Sequence, residues 1–149
     1  MTKSPTLKEF LECAQQEYRF LVDEFGFSES CQSANPFEVD YRSSRLQVAV
    51  EGINWGFAVQ ILLTPIQSGS VQPLDEVPLW AIARLRCPDE LEQVFHVSEQ
   101  LAQLRSYAWI LRTHAGDVLR GDFTILAAAR SVVVDERARS REPKKPHLP

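Results

Sequence analysis

The chain has 149 residues, of which 44% are hydrophobic and 24% charged, the balance of a folded domain rather than of a disordered segment. Its formal net charge is −4, but residues 137–149 carry five basic side chains and one acid, which leaves about −8 on residues 1–136. An acidic body of this kind repels nucleic acid and steers basic partners toward it, and the start MTKSPTLKEFLE lacks the apolar core of a signal peptide.

The first predicted element is a helix. Thr6-Leu7-Lys8-Glu9 has the form of a capping box, in which the Thr6 hydroxyl and the Glu9 carboxylate satisfy backbone donors reciprocally. Leu7, Phe10, Leu11, Ala14, Tyr18, Leu21, Val22 and Phe25 then recur on one helical face. Gly26 takes the closing position, where a left-handed residue ends a helix.

Strands follow. A short strand is expected over Ser28–Ser33. Phe37, Val39 and Tyr41 alternate with Glu38, Asp40 and Arg42, so one face is apolar and the other charged. After a turn at Arg42-Ser43-Ser44-Arg45, Leu46, Val48 and Val50 alternate with Gln47, Ala49 and Glu51. A second turn at Gly52-Ile53-Asn54 leads to Trp55, Phe57, Val59, Ile61 and Leu63 on the inward face. This is an antiparallel meander of three or four strands with one face buried.

Thr64 to Pro78 reads as a loop, because Pro65, Ser68-Gly69-Ser70, Pro73 and Pro78 all discourage regular structure. A short helix is predicted from Leu79 to Arg86, and Pro88 with Asp89 and Glu90 suits a second helix start. Its apolar stripe continues through Leu111 with a break at Ser98, and Gly116 is expected to cap it. Asp122 is expected to cap a last helix running through Arg130. The architecture predicted is α+β: an N-terminal helix, the meander, then C-terminal helices packed on one sheet face. Residues 1–136 form a single domain in this reading, and the basic, proline-containing residues 137–149 form a disordered tail.

Chemistry-bearing patterns are few. Cys13, Cys31 and Cys87 are odd in number and widely spaced, which implies free thiols in a reducing compartment. Acids surrounding Cys13 on its helix raise its pKa, which suits a structural thiol more than a nucleophile. Glu92, His96 and Glu99 fall at i, i+4 and i+7, where a helix could converge one nitrogen and two oxygens on a divalent ion. One helix supplies too few rigid ligands for a closed site, so a polar helix edge explains them equally. His114, with Asp117 nearby, has the makings of a dyad but no activated nucleophile, and a helix C-terminus explains its place. Arg120-Gly121-Asp122 reads as a turn and cap rather than as an adhesion motif. Trp55, Trp80 and Trp109 follow apolar patterns and are expected in the core, with an interface anchor as the alternative. The basic tail lacks the interleaved aromatics of a single-strand binder. No catalytic set, metal, cofactor, nucleic-acid or membrane site is expected.

What remains is the outer sheet face, where Glu38, Asp40 and Glu51 surround Ala49, Gly56 and Ala58. A solvated sheet face accounts for this pattern. So does a docking surface for a basic partner, in which small residues permit close approach and carboxylates set orientation and association rate.

The phrases FLVDEFGF, NPFEVDYRSSRLQVAVEG and YAWILRTHAGDVLRGDF, in that order, resemble small bacterial immunity proteins of polymorphic toxin systems, including those linked to type VI secretion or Rhs-type toxins. The resemblance spans most of the chain and implies a cytosolic, stoichiometric inhibitor that covers the active site of a cognate toxin domain. A dedicated acidic chaperone for a secreted protein is the alternative of another class, and a small metal-dependent enzyme is the third. Glu38, Asp40, Glu51, Ala49 and Ala58 are the expected partner-binding residues.

Overall fold

The computed structural model describes residues 4–31, 34–53, 56 and 58–141, the last by its backbone alone. Helix α1 (Leu7–Glu17) starts as its sequence dictates: Thr6 N–H donates to Glu9 Oε1 at 3.0 Å, and Glu9 N–H donates to Thr6 Oγ1 at 3.2 Å. It does not run on to Phe25. Tyr18 leaves the helical path at φ −102° and ψ 8°, and α2 (Phe20–Asp23) forms a separate turn. The Tyr18 ring is fully buried, and its hydroxyl donates to the Leu104 carbonyl at 2.9 Å. Gly26, at φ +73°, follows α2 as the glycine placement predicts.

Strands β1 (Ser28–Ser30), β2 (Glu38–Arg42), β3 (Leu46–Ile53) and β4 (Ala58–Gln67) form the antiparallel meander in sequence order. β1 is the short strand expected near residues 28–33; Gly52 and Ile53, predicted to turn, instead continue β3, and Asn54 of that turn, with Trp55 and Phe57 of the next predicted strand, lies outside the described residues. Val39 and Tyr41, Leu46, Val48 and Val50, and Val59, Ile61 and Leu63 line the inward face, none more than 5% exposed. Their partners along each strand point to the other face, as a period of two requires.

The segment expected to be a loop is not one. β4 continues through Pro65 to Gln67, and two short strands, β5 (Ser70–Val71) and β6 (Val77–Pro78), pair with it around a turn of 3-10 helix at Pro73–Asp75. Pro65 is tolerated because of its register opposite Leu46. Ile66 N–H donates to Arg45 O on the β3 side at 2.8 Å, while the Pro65 carbonyl accepts from Gln72 N–H at 2.9 Å. The proline nitrogen therefore faces away from β3, and its missing donor leaves that ladder intact. Ser68 (φ 52°) and Gly69 (φ 77°) supply the two positive φ angles of a tight two-residue hairpin.

Helices α3 (Leu79–Arg86) and α4 (Pro88–Phe95) match the predicted segments, and the chain breaks before α5 (Gln100–His114) as expected near Ser98. Two capping expectations fail. Ala115, not Gly116, ends α5, and Gly116 instead opens the single turn α6 (Gly116–Leu119). Asp122 accepts from Thr124 N–H and Oγ1 at 3.1 and 2.6 Å, four residues ahead of α7 (Leu126–Arg141), so it shapes the turn before the helix rather than capping it. α7 carries through the Val132–Val134 run and extends into the basic segment as far as Arg141; residues 142–149 lie outside the described residues.

The fold is thus α+β, with α1, α3 and α5 covering the inward sheet face. Phe10, Ala14, Tyr18, Ile82, Leu104 and Leu111 close the core from the helix side, each at 0% exposure. α7 packs against α3 and β6, beyond the β4 edge. The first turn of α5 also meets the backbone at the start of β4: Gln103 Oε1 accepts from Val59 N–H at 3.0 Å, Gln103 Nε2 donates to Val97 O at 2.7 Å, and Gln100 Nε2 donates to Ala58 O at 2.8 Å. Among the described residues, no helix is long and apolar enough to cross a membrane.

Candidate functional site: the outer sheet face and its groove

Register assembles the acidic cluster. Glu38 on β2 lies opposite Glu51 on β3, and Asp40 lies opposite Ala49; Gln60 and Leu62 on β4 continue the rows beyond Glu51 and Ala49. All these side chains share the outward face. Glu38 lies within hydrogen-bonding reach of both Asp40 and Glu51, and its hydrogen bond and charge favour the neutral form of each. Burial, then the hydrogen bond and charge of Glu38, push Asp40 up to about 7. Burial pushes Glu51 up to about 8, with Glu38, Glu76 and Asp40 adding to it. The charges acting on Asp40 and Glu51 are therefore carboxylates. Asp40 Oδ1 is shielded from solvent and has no hydrogen-bond partner among the described residues.

The small residues fall differently. Ala49 is only 8% exposed, so it forms a floor beneath its neighbours rather than an open contact surface. Ala58 is half-buried at the end of β4, opposite Ile53, with its carbonyl held by Gln100. Gly56 lies outside the strands at φ +90°, and a Cβ there would come within 2.7 Å of Ser4 Cβ. It takes no part in the sheet face.

Sequence patterning did not reveal that this face continues into a groove. α7 and the 73–78 segment rise beside β4 and enclose about 580 Å³ lined by Gln60, Leu62, Glu76, Pro78, Trp80 and Val134. Leu74 and Val134 stand at its rim, 96% and 62% exposed. Arg84 stacks over Trp80 with its guanidinium 5.8 Å from the ring centroid and pairs with Glu136 at 2.7 Å. Glu76 joins the two parts: its charge acts on Glu51, and its Oε1 accepts from Thr64 Oγ1 at 3.4 Å. Nothing local marks the groove, because α7 joins β4 and the 73–78 segment only through the tertiary fold.

The other predicted constellations are rearranged. α4 ends at Phe95, so Glu92, His96 and Glu99 do not share a helical face; Glu92 and His96 approach to 3.8 Å on the exposed surface, and Glu99 precedes α5. His114 and Asp117 form no dyad. Asp117 makes a two-pronged pair with Arg86, both contacts at 2.7 Å, and Arg86 holds its carboxyl below the usual carboxylate range. His114 Nε2 instead lies 2.8 Å from Glu90 Oε2, with Cys87 beside them. Cys13 is raised chiefly by burial, with Glu17 contributing and Arg105 opposing. Trp109 is 52% exposed rather than in the core, Trp80 packs partly buried against it, and Trp55 lies outside the described residues.

Compared with known proteins, the chain matches no family model, no curated protein and no solved structure.

Proposed function

We propose that this protein is a binding module that docks a basic protein partner on its outer sheet face, acting as a cytosolic immunity protein that neutralises a cognate bacterial toxin domain. The observation that carries the reading is the crowding of Glu38, Asp40 and Glu51. Carboxyl groups that face one another's charge form a site that a guanidinium or ammonium group would relieve. The groove beside them offers apolar footing for an anchor residue, with Leu62 and Trp80 in its walls. An acidic surface of this kind occupies positions that a toxin reserves for phosphate-bearing substrates, and it also speeds encounter.

The test is capture at high salt, comparing the wild-type chain with the triple reversal Glu38→Lys, Asp40→Lys, Glu51→Lys. A folded toxin domain should co-purify one-to-one with the wild type, and co-expression should suppress its toxicity. The reversal should weaken that complex by about 3 kcal/mol or more, roughly a hundredfold, while the melting temperature changes little. Undiminished binding by the triple variant would reject this face as the interface. The exposed Leu74 and Val134 favour a second reading, a chaperone that holds an extended apolar segment in the groove. Its mark would be capture of an unfolded chain rather than of a folded domain.

A further inference from the structure

We propose that Cys87, Glu90 and His114 form a zinc site that joins the α3–α4 corner to the end of α5. The three donor atoms, Sγ, a carboxylate oxygen and an imidazole nitrogen, all lie within 4.8 Å of one another. Tetrahedral zinc with bonds of 2.0–2.3 Å separates its ligands by roughly 3.3–3.8 Å, so the cluster closes on an ion by about 1.5 Å at most, while the His114–Glu90 contact of 2.8 Å opens slightly.

Each donor sits on a fixed element. Cys87 occupies the junction of α3 and α4, where its N–H donates to Ala83 O at 2.7 Å and its carbonyl accepts from Leu91 N–H at 3.0 Å. Glu90 lies in the first turn of α4, placed by the Pro88 start. His114 is the last residue of α5, and its carbonyl accepts from Arg86 Nη1 at 2.6 Å. Arg86 is itself locked to Asp117, and Trp109 packs edge-on against the imidazole with 5.5 Å between centroids.

The donor set selects the ion. A thiolate disfavours magnesium and calcium, whereas sulfur with imidazole and carboxylate suits zinc. Three protein ligands leave a fourth position for water. The side chains of His114 and Glu90 are 25% and 39% exposed, which opens that position toward solvent. Glu90 also borders a groove of about 640 Å³ with Val94, Trp109 and Ile110. On binding, the S–H bond breaks, its proton passes to solvent and an S–Zn bond forms. The His114 Nε2–H that faces Glu90 gives its proton to solvent while Nδ1 takes one up, which frees an Nε2 lone pair for the metal, and no group changes oxidation state.

The test is titration of the chelator-treated full chain with cobalt(II), then displacement by zinc. One equivalent should bind with a thiolate-to-cobalt charge-transfer band in the near ultraviolet, and zinc should abolish the band and raise the melting temperature. Cys87→Ser should lose the band, and His114→Ala should weaken affinity by at least roughly tenfold. Should Cys87→Ser fold poorly, alkylation of the wild type decides: zinc should protect Cys87 while exposed Cys31 still reacts. Absence of the thiolate band, or binding that survives in folded Cys87→Ser, would overturn the site.

Discussion

The two faces of this sheet are made by the same strands, residue by residue, yet they obey different rules. On the inward face, Val39, Val48, Val50, Ile61 and Leu63 are nearly solvent-free and packed against helices. On the outward face, Glu38, Asp40 and Glu51 crowd together, and the shifts of Asp40 and Glu51 record what that costs the folded state. A face selected for stability alone would interleave lysines among those carboxylates or disperse them. The inward face explains why the chain folds, and the outward face is the surface on which the proposed docking rests.

Neighbouring residues on one strand give the largest test of that contrast. Ile61 is 2% exposed in the core, whereas Leu62, next to it, points outward into the groove. Ile61→Ala should cost about 2–5 kcal/mol through lost burial and the cavity left behind. Leu62→Ala should cost less than about 1.5 kcal/mol, because its site is already open to solvent. Urea unfolding of the two variants measures both; equal losses would mean that the outer face is as much a core as the inner.

A smaller effect probes the contact that ties α5 to the start of β4. Gln103→Ala removes the acceptor for Val59 N–H and the donor for Val97 O together. Leaving buried backbone groups without partners costs about 1–3 kcal/mol. Gln103→Glu should recover part of the loss, since it restores the acceptor but not the donor. Faster amide exchange at Val59 in the alanine variant would locate the damage.

Much of this architecture was legible because it is local. The Thr6–Glu9 cap, the alternation in β2 and β3 and the Pro88 helix start each depend on residues within one turn or one strand. The failures are the places where tertiary contacts overrule local preference. Tyr18 belongs to the helical stripe of α1 but leaves it, with its hydroxyl bonded to Leu104 eighty-six residues away. Pro65 reads as a strand breaker until the pairing shows which way its nitrogen faces. The acidic cluster was visible from the period of two, but the groove beside it needs α7 and the 73–78 segment to meet. For the second cluster, Cys87-Pro88-Asp89-Glu90 was a usable signal, since a cysteine before a proline-started helix lies near the residue three places on. His114 joins them only through the packing of α3, α4 and α5.

The smallest effect has the opposite sign from the others. Asp40 and Glu51 titrate near 7 and 8 in the folded protein, against ordinary values of 3.8 and 4.5. Between those limits the folded state binds more protons than the unfolded chain, so stability falls as pH rises from about 4 to about 8 and then levels off. Glu51→Gln removes the group that must ionise while keeping its shape and one hydrogen-bond donor. It should leave stability unchanged near pH 4 and raise it above pH 8. Partial exposure and solvent screening hold the gain to about 1 kcal/mol or less, a shift of about 2–4 °C at most for a domain of this size. Melting curves at the two pH values measure it, and an equal gain at both would assign the effect to packing. The same linkage reaches the partner. In the proposed docking a cationic side chain binds the ionised forms of Asp40 and Glu51, so wild-type affinity should strengthen from pH 6 to pH 8.5. In Glu51→Gln that pH dependence should flatten and the complex weaken, so that the variant gains stability as it loses its partner.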